Sequence, residues 1–222
     1  MDLNYLKTLS SLVLSKLGRV RILVDNGHGY NTAGKHSPDM VIKEWHVNRD
    51  VAEAVVTLFR GIGMDAELLV PETVDISLGE RCRRVNAQCS VLGKDHVLML
   101  SCHLNAAGNG QWMKARGWSV WTTRGVTESD KWAECVWQRA NEKWHNGTDG
   151  LKTISDTSDG DHDYESDFYI LRNTNCPAIL CENFFMDNKQ DYDYINSPGF
   201  HYDVAEVLVT GTMDYLKKKT NI

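Results

Sequence analysis

Three short apolar runs constrain this chain more than anything else in it. Ile22-Leu23-Val24, Val97 to Cys102 and Ala178 to Cys181 are almost unbroken, and each gives way at its C-terminal end to polar residues. Apolar residues at successive positions mark strands buried on both faces, as in a central parallel sheet. Helical period fills the stretches between. Val47, Val51, Ala54, Val55 and Leu58 share one face over 44–60, and Cys82, Val85 and Cys89 share one over 78–92. Further strands are predicted at 66–70, 118–122 and 168–171, and further helices at 127–144, 187–195 and 198–216. Strands alternating with helices predict an α/β fold, a three-layer sandwich in which helices flank a mostly parallel central sheet. Leucines at 3, 6, 9, 12, 14 and 17 among charged residues read as an N-terminal helical arm over 1–20, with 21–222 as a single domain behind it.

The chemistry gathers where the runs end. Asp25-Asn26-Gly27 break the first strand into a tight turn with His28 at its tip. His103 ends the central run. Glu44 opens the intervening helix, where the macrodipole favours a carboxylate. Glu182 ends the last run, and a carboxylate beside a buried strand asks for a partner. Open α/β sheets present ligands at this carboxyl edge. Taken singly, each residue has an ordinary reading: a core histidine, or a dipole-matched surface glutamate. Together, two imidazoles and two carboxylates are the donors of a mononuclear zinc site with a general base. His36, His46, His96, His145, His162 and His201 follow no strand end and read as structural or surface residues.

A net charge of −6 argues against nucleic acid as a partner. No stretch has the ~18 apolar residues of a membrane span. The six cysteines do not suggest a disulfide framework. Cys82 and Cys89 lie about 10 Å apart along one helix face, and alternation sends Cys102 and Cys181 away from His103 and Glu182 into the core. The one unusual composition is Asp149 to Asp167, with seven acidic residues and little apolar material. Its Asp159–Glu165 run lacks the Gly and Glu positions of an EF-hand and reads as a solvated loop, one that borders the groove and moves without substrate. Trp112, in a polar loop, could line a groove or pack in the core.

Several pieces in order resemble one known family, the zinc-dependent N-acetylmuramoyl-L-alanine amidases of the type 3 catalytic domain. They are Val24-Asp25-Asn26-Gly27-His28-Gly29, Glu44, Leu78-Gly79-Glu80-Arg81 with Asn86, Ser101-Cys102-His103-Leu104-Asn105-Ala106, Arg116-Gly117-Trp118, and Pro177 to Glu182 followed by Asn188. The resemblance runs from about Arg21 to Leu216. It implies one zinc per chain held by His28, Glu44 and His103, with Glu182 as the catalytic carboxylate. It implies hydrolysis of the amide joining the lactyl group of N-acetylmuramic acid to L-alanine in peptidoglycan. Residues 21–222 are then the amidase domain, expected to act as a monomer on the cell wall.

This sequence departs from the family at Asn26, where proline is usual, and at Phe184, where glycine is usual. Pro71-Glu72 and Asp149-Gly150 also differ. The start of the chain does not read as a signal peptide, so cytoplasmic synthesis is expected, with the wall reached after release or by another export route. The alternatives are a zinc peptidase or deacylase acting on another amide, or a non-catalytic wall-binding module. The H-E-x-x-H helix of many zinc peptidases is absent.

Overall fold

The computed structural model describes residues 1–145 and 150–222. Six strands form one sheet: β1 (Arg21–Asn26), β2 (Asp65–Leu68), β3 (Val97–Asn105), β4 (Ser119–Thr122), β5 (Tyr164–Glu165) and β6 (Ala178–Phe185). Their order is β2-β1-β3-β6-β4-β5. The first four in this order are mutually parallel; β4 runs antiparallel to β6, and β5 parallel to β4. The sheet is mixed and mostly parallel, as the alternation of runs predicts.

Helices cover both faces. On one side lie α1 (Leu3–Leu17), α2 (Glu44–Gly61), α4 (Glu128–Trp144) and α7 (Phe200–Thr220); on the other lie α3 (Leu78–Leu92) and the single turn α5 (Tyr169–Arg172). The period of two along each strand decides which side chain enters which layer. Leu98, Leu100 and Cys102 of β3 join the larger core with α2 and α7, whereas Val97 and Met99 join the smaller one with α3. Ile179 and Cys181 of β6 take the first side, and Ala178 and Leu180 the second. His103 and Glu182 continue the second series and therefore emerge on the α3 side. All six cysteines are free and buried.

Local signals set the helix ends. Ser77 caps α3 by accepting from Glu80 N, and Thr127 and Asp130 form a capping box on α4. α1 buries Leu6, Leu9 and Val13 in the larger core and lies along α7. No helix among the described residues is long and apolar enough to cross a membrane.

Two segments differ from the expectation. The run at 168–171 is the helical turn α5, not a strand. Ile170 and Leu171 are consecutive and both enter the α3-side core, which a helical turn permits and a pleated strand would prevent. The sixth strand is instead the short pair Tyr164–Glu165 inside the acidic segment. That segment is not a solvated loop. Thr153 bridges to Trp118, His162 stacks on Trp137 with centroids 3.7 Å apart, and Tyr164 stacks on Trp121 at 4.7 Å. Its contacts among the described residues run along β4 and α4, to Arg116 and to Gln190, and none reaches His28, Glu44, His103 or Glu182. The expected groove-bordering role finds no support in them. Asp149, at the head of this segment, lies outside the described residues.

Candidate metal centre and its neighbouring carboxylate

β1 and β3 are neighbours, with Asn26 opposite Cys102. The chain leaves β1 through Gly27 and turns back at His28, whose φ of 67° is left-handed. Gly27 is dictated by its neighbour: a Cβ there would lie 2.1 Å from His103 Cε1. The absent side chain is what lets the turn close over the imidazole. The two imidazoles meet edge to face, with centroids 4.9 Å apart.

Glu44 completes the cluster from the first turn of α2. It is 1% exposed. Its Oε1 lies 3.1 Å from His103 Nδ1 and 3.3 Å from His28 Nε2, and accepts from Leu104 N at 3.2 Å. Burial alone would raise this carboxyl; the imidazoles of His103 and His28 hold it well below the usual carboxylate range. Conversely, burial would lower the His103 imidazole, and Glu44 beside it raises it. Lys35 Nζ stands 3.9 Å from Glu44 Oε2.

One donor atom from each of His28, Glu44 and His103 lies within 4.8 Å of the others, so the three could hold a metal ion. A second observation supports the fit: His28 Nε2 and Glu44 Oε2 are buried without a hydrogen-bond partner. Such atoms are costly unless something satisfies them. Two nitrogens and a carboxylate match the donor set of a catalytic zinc, which takes three protein ligands and leaves a position open.

Glu182 faces the cluster from the next strand, paired in register with His103. Its Oε2 is also buried and without a partner. Burial pushes its carboxyl up to about 7, with Glu44 adding to the rise and His103 opposing it. Beside the histidines a cavity of about 320 Å³ opens toward Ser77, Leu78 and Ile170.

The neighbouring residues fix these positions. Asn183 Nδ2 donates to His103 O at 3.1 Å, and its Oδ1 accepts from Trp118 Nε1 at 2.8 Å. Phe184 has a φ of 73°, where the register between β3 and β6 shifts past His103. Glycine adopts this conformation freely and phenylalanine at a cost, which explains the family's preference. Here the ring is fully buried among Trp144, Tyr194 and Phe200, and that packing offsets the strain. Asn26, where proline is usual, is buried with both side-chain amide atoms unpartnered.

Sequence reasoning missed the clamp on the His28 turn. Arg81, 2% exposed, donates through Nη1 to Asp25 Oδ1 at 2.5 Å and to Asn26 O at 2.9 Å. Through Nη2 it reaches Asp75 Oδ1 at 2.8 Å and His28 O at 3.4 Å. Ser101 Oγ completes Asp25 by donating to Oδ2 at 2.6 Å. The available signal was Asp25 itself, a carboxylate ending a buried strand. The remaining histidines stay out of the cluster: His46 pairs with Asp50, His96 with Arg19 O and His162 with Glu134. Trp118 is core; Trp112 is half-buried under Lys189, whose Nζ sits 3.3 Å from the ring centroid.

Comparison with known proteins bears on the family and the fold. A family model described as N-acetylmuramoyl-L-alanine amidase matches residues 22–213. The endolysin of Bacillus phage SPP1 is 24% identical over 201 residues, which cover 89% of this chain and 66% of the endolysin. The N-acetylmuramoyl-L-alanine amidase CwlM of Bacillus licheniformis is 26% identical over 189 residues, or 84% of this chain and 64% of CwlM. The chain thus spans just under two thirds of the length of these relatives. The crystal structure of the N-acetylmuramoyl-L-alanine amidase from Clostridium difficile 630 superposes with a TM-score of 0.71 at 26% identity, over 90% of this chain and 98% of that one. The matched span holds β1's turn, the head of α2 and the ends of β3 and β6, and the chain belongs to the N-acetylmuramoyl-L-alanine amidase family.

Proposed function

We propose that the chain hydrolyses the amide between the lactyl group of N-acetylmuramic acid and L-alanine in peptidoglycan. Zinc is held by His28, Glu44 and His103, one ion per chain, and Glu182 is the catalytic carboxylate. The observation that carries the reading is the placement of Glu182: opposite His103 in register, with an unpartnered buried Oε2. It is not a member of the three-residue donor cluster, as a base requires.

Bound zinc supplies Lewis-acid polarisation of the amide carbonyl and lowers the pKa of water toward ~7. The chain's own residues do the rest. Glu182 takes a proton from the attacking water as its oxygen bonds the lactyl carbonyl carbon. When the C–N bond breaks, the same carboxyl passes that proton to the departing L-alanine nitrogen, and Glu182 returns to its starting state. A carboxyl pushed up to about 7 can both accept and return a proton near neutrality. Arg81 and Gly27 keep the two imidazoles in place throughout. The chain acts in this reading as a monomer on the cell wall.

Mass spectrometry of material released from purified peptidoglycan tests the assignment. The expected product is a stem peptide with a free L-alanine amino terminus, alongside intact glycan. A cut within the stem peptide would make the protein a peptidase instead.

A further inference from the structure

A second group of carboxylates lies away from the metal centre, where the acidic segment crosses the head of α4 and the end of β4. Asp130 is 8% exposed and accepts from the backbone and hydroxyl of Thr127. Asp163 is 1% exposed, and its Oδ2 accepts from Thr122 Oγ1 at 2.5 Å. Asp161 sits within hydrogen-bond reach of Asp163.

Acidic residues in proximity are no site by themselves. Here the Oδ1 atoms of Asp161 and Asp163 are both buried and neither meets a donor. A carboxylate oxygen can only accept, and the groups acting most strongly on Asp163 are the Thr122 hydroxyl and the carboxylates of Asp161 and Asp130. Burial, with those two carboxylates beside it, pushes the Asp163 carboxyl up to about 8. His162, between them in sequence, is engaged elsewhere: its Nδ1 lies 2.8 Å from Glu134 and its ring covers Trp137. Two interacting carboxylates that each hold an orphaned, buried acceptor call for a positive charge to satisfy them.

We propose that Asp161 and Asp163 bind a calcium ion through these Oδ1 atoms, at a structural site separate from His28, Glu44 and His103. The donors are oxygen only, with no thiolate or imidazole, which selects a hard cation. Calcium accepts irregular carboxylate and water coordination, whereas magnesium demands a near-ideal octahedron. Asp161 is only partly buried, so water can fill the remaining positions. The ion ties the segment to β4 through Asp163 and Thr122. With few protein ligands, its affinity belongs to the ~10⁻⁴–10⁻³ M class of extracellular modules.

Calorimetric titration of the zinc-loaded enzyme with calcium chloride, with zinc content measured before and after, tests this. The expected result is one calcium per chain in the millimolar range or tighter, unchanged zinc, and a higher melting temperature with calcium but not with magnesium. Asp161→Asn, at the partly buried position, keeps the fold and the zinc and weakens calcium binding ~10-fold or more. Absence of calcium uptake by the wild-type enzyme overturns the proposal and leaves a proton shared between the two carboxyls. Undiminished uptake by Asp161→Asn, or an equal response to magnesium, overturns it as well.

Discussion

The parallel half of the sheet and its β4–β5 edge are built by opposite means. β1, β3 and β6 are held by continuous apolar runs buried on both faces, and the chemistry appears only where those runs stop. The edge is short, and aromatic stacks hold it: Trp121 on Tyr164 and Trp137 on His162. Each region gathers buried carboxylates, but they are satisfied differently. Glu44 is flanked by two imidazoles and stays ionised, whereas Asp163 has a hydroxyl and two other carboxylates for neighbours and is pushed toward its neutral form. The same residue type is thus held ionised in one place and, without a cation, held protonated in the other. Partners, not burial alone, decide the charge state.

The largest expected effect lies in the parallel half. His103→Ala should lose metal and all hydrolysis together, read by metal analysis and release of amino termini from cell walls. Full zinc occupancy in that variant would remove His103 from the ligand set. Next comes the clamp behind His28. Arg81→Met leaves Asp25 buried without its partner, and breaking such a pair costs about 3–5 kcal/mol. Chemical denaturation should show a loss of that size, with weakened zinc retention. An unchanged midpoint would mean that the turn is held by other contacts.

At the edge the expected effect is a slope rather than a collapse. The Asp163 carboxyl ionises near 3.8 when unfolded and at about 8 when folded. Between those values the folded state keeps a proton that the unfolded chain has released, so raising the pH favours unfolding. In calcium-free buffer, wild-type stability relative to Asp163→Asn should therefore fall as pH rises from about 4 to about 8. A flat difference would show that Asp163 titrates normally. Smallest is Trp137→Leu. It removes the stack on His162, worth about 1 kcal/mol, and should lower the melting temperature slightly while turnover on cell walls stays the same. A large loss of turnover would tie the edge to the metal centre.

The same contrast explains how much was legible in the sequence. His28, His103 and Glu182 could be read because each ends an apolar run, and a parallel sheet brings those ends to one edge. Glu44 could be read from its place at the head of a helix. The clamping role of Arg81 could not, although Arg81 stands in one of the matching pieces, because an arginine on a helix is ordinarily solvated and nothing local marks this one as buried. The 168–171 run was misread because four apolar residues fit a helical turn as well as a strand. The acidic segment was misread for a related reason: its few aromatic residues do not pack on one another, but on tryptophans from β4 and α4 distant in sequence. Composition suggests solvation, and only tertiary partners reverse it. Phe184 is the converse case, a local violation made tolerable by aromatic neighbours from α4, α6 (Lys189–Ile195) and α7.

The division of labour between three ligands and one base is tested most directly by Glu182→Gln, assayed for zinc content and for turnover on cell walls in the same preparation. Glutamine keeps the size and shape of the side chain but cannot accept the proton from water. The expected result is full zinc occupancy, an intact fold and a rate lower by about 10²-fold or more. Loss of zinc would make Glu182 a ligand, and a near-normal rate would place the base elsewhere; either result contradicts the roles assigned to the four residues.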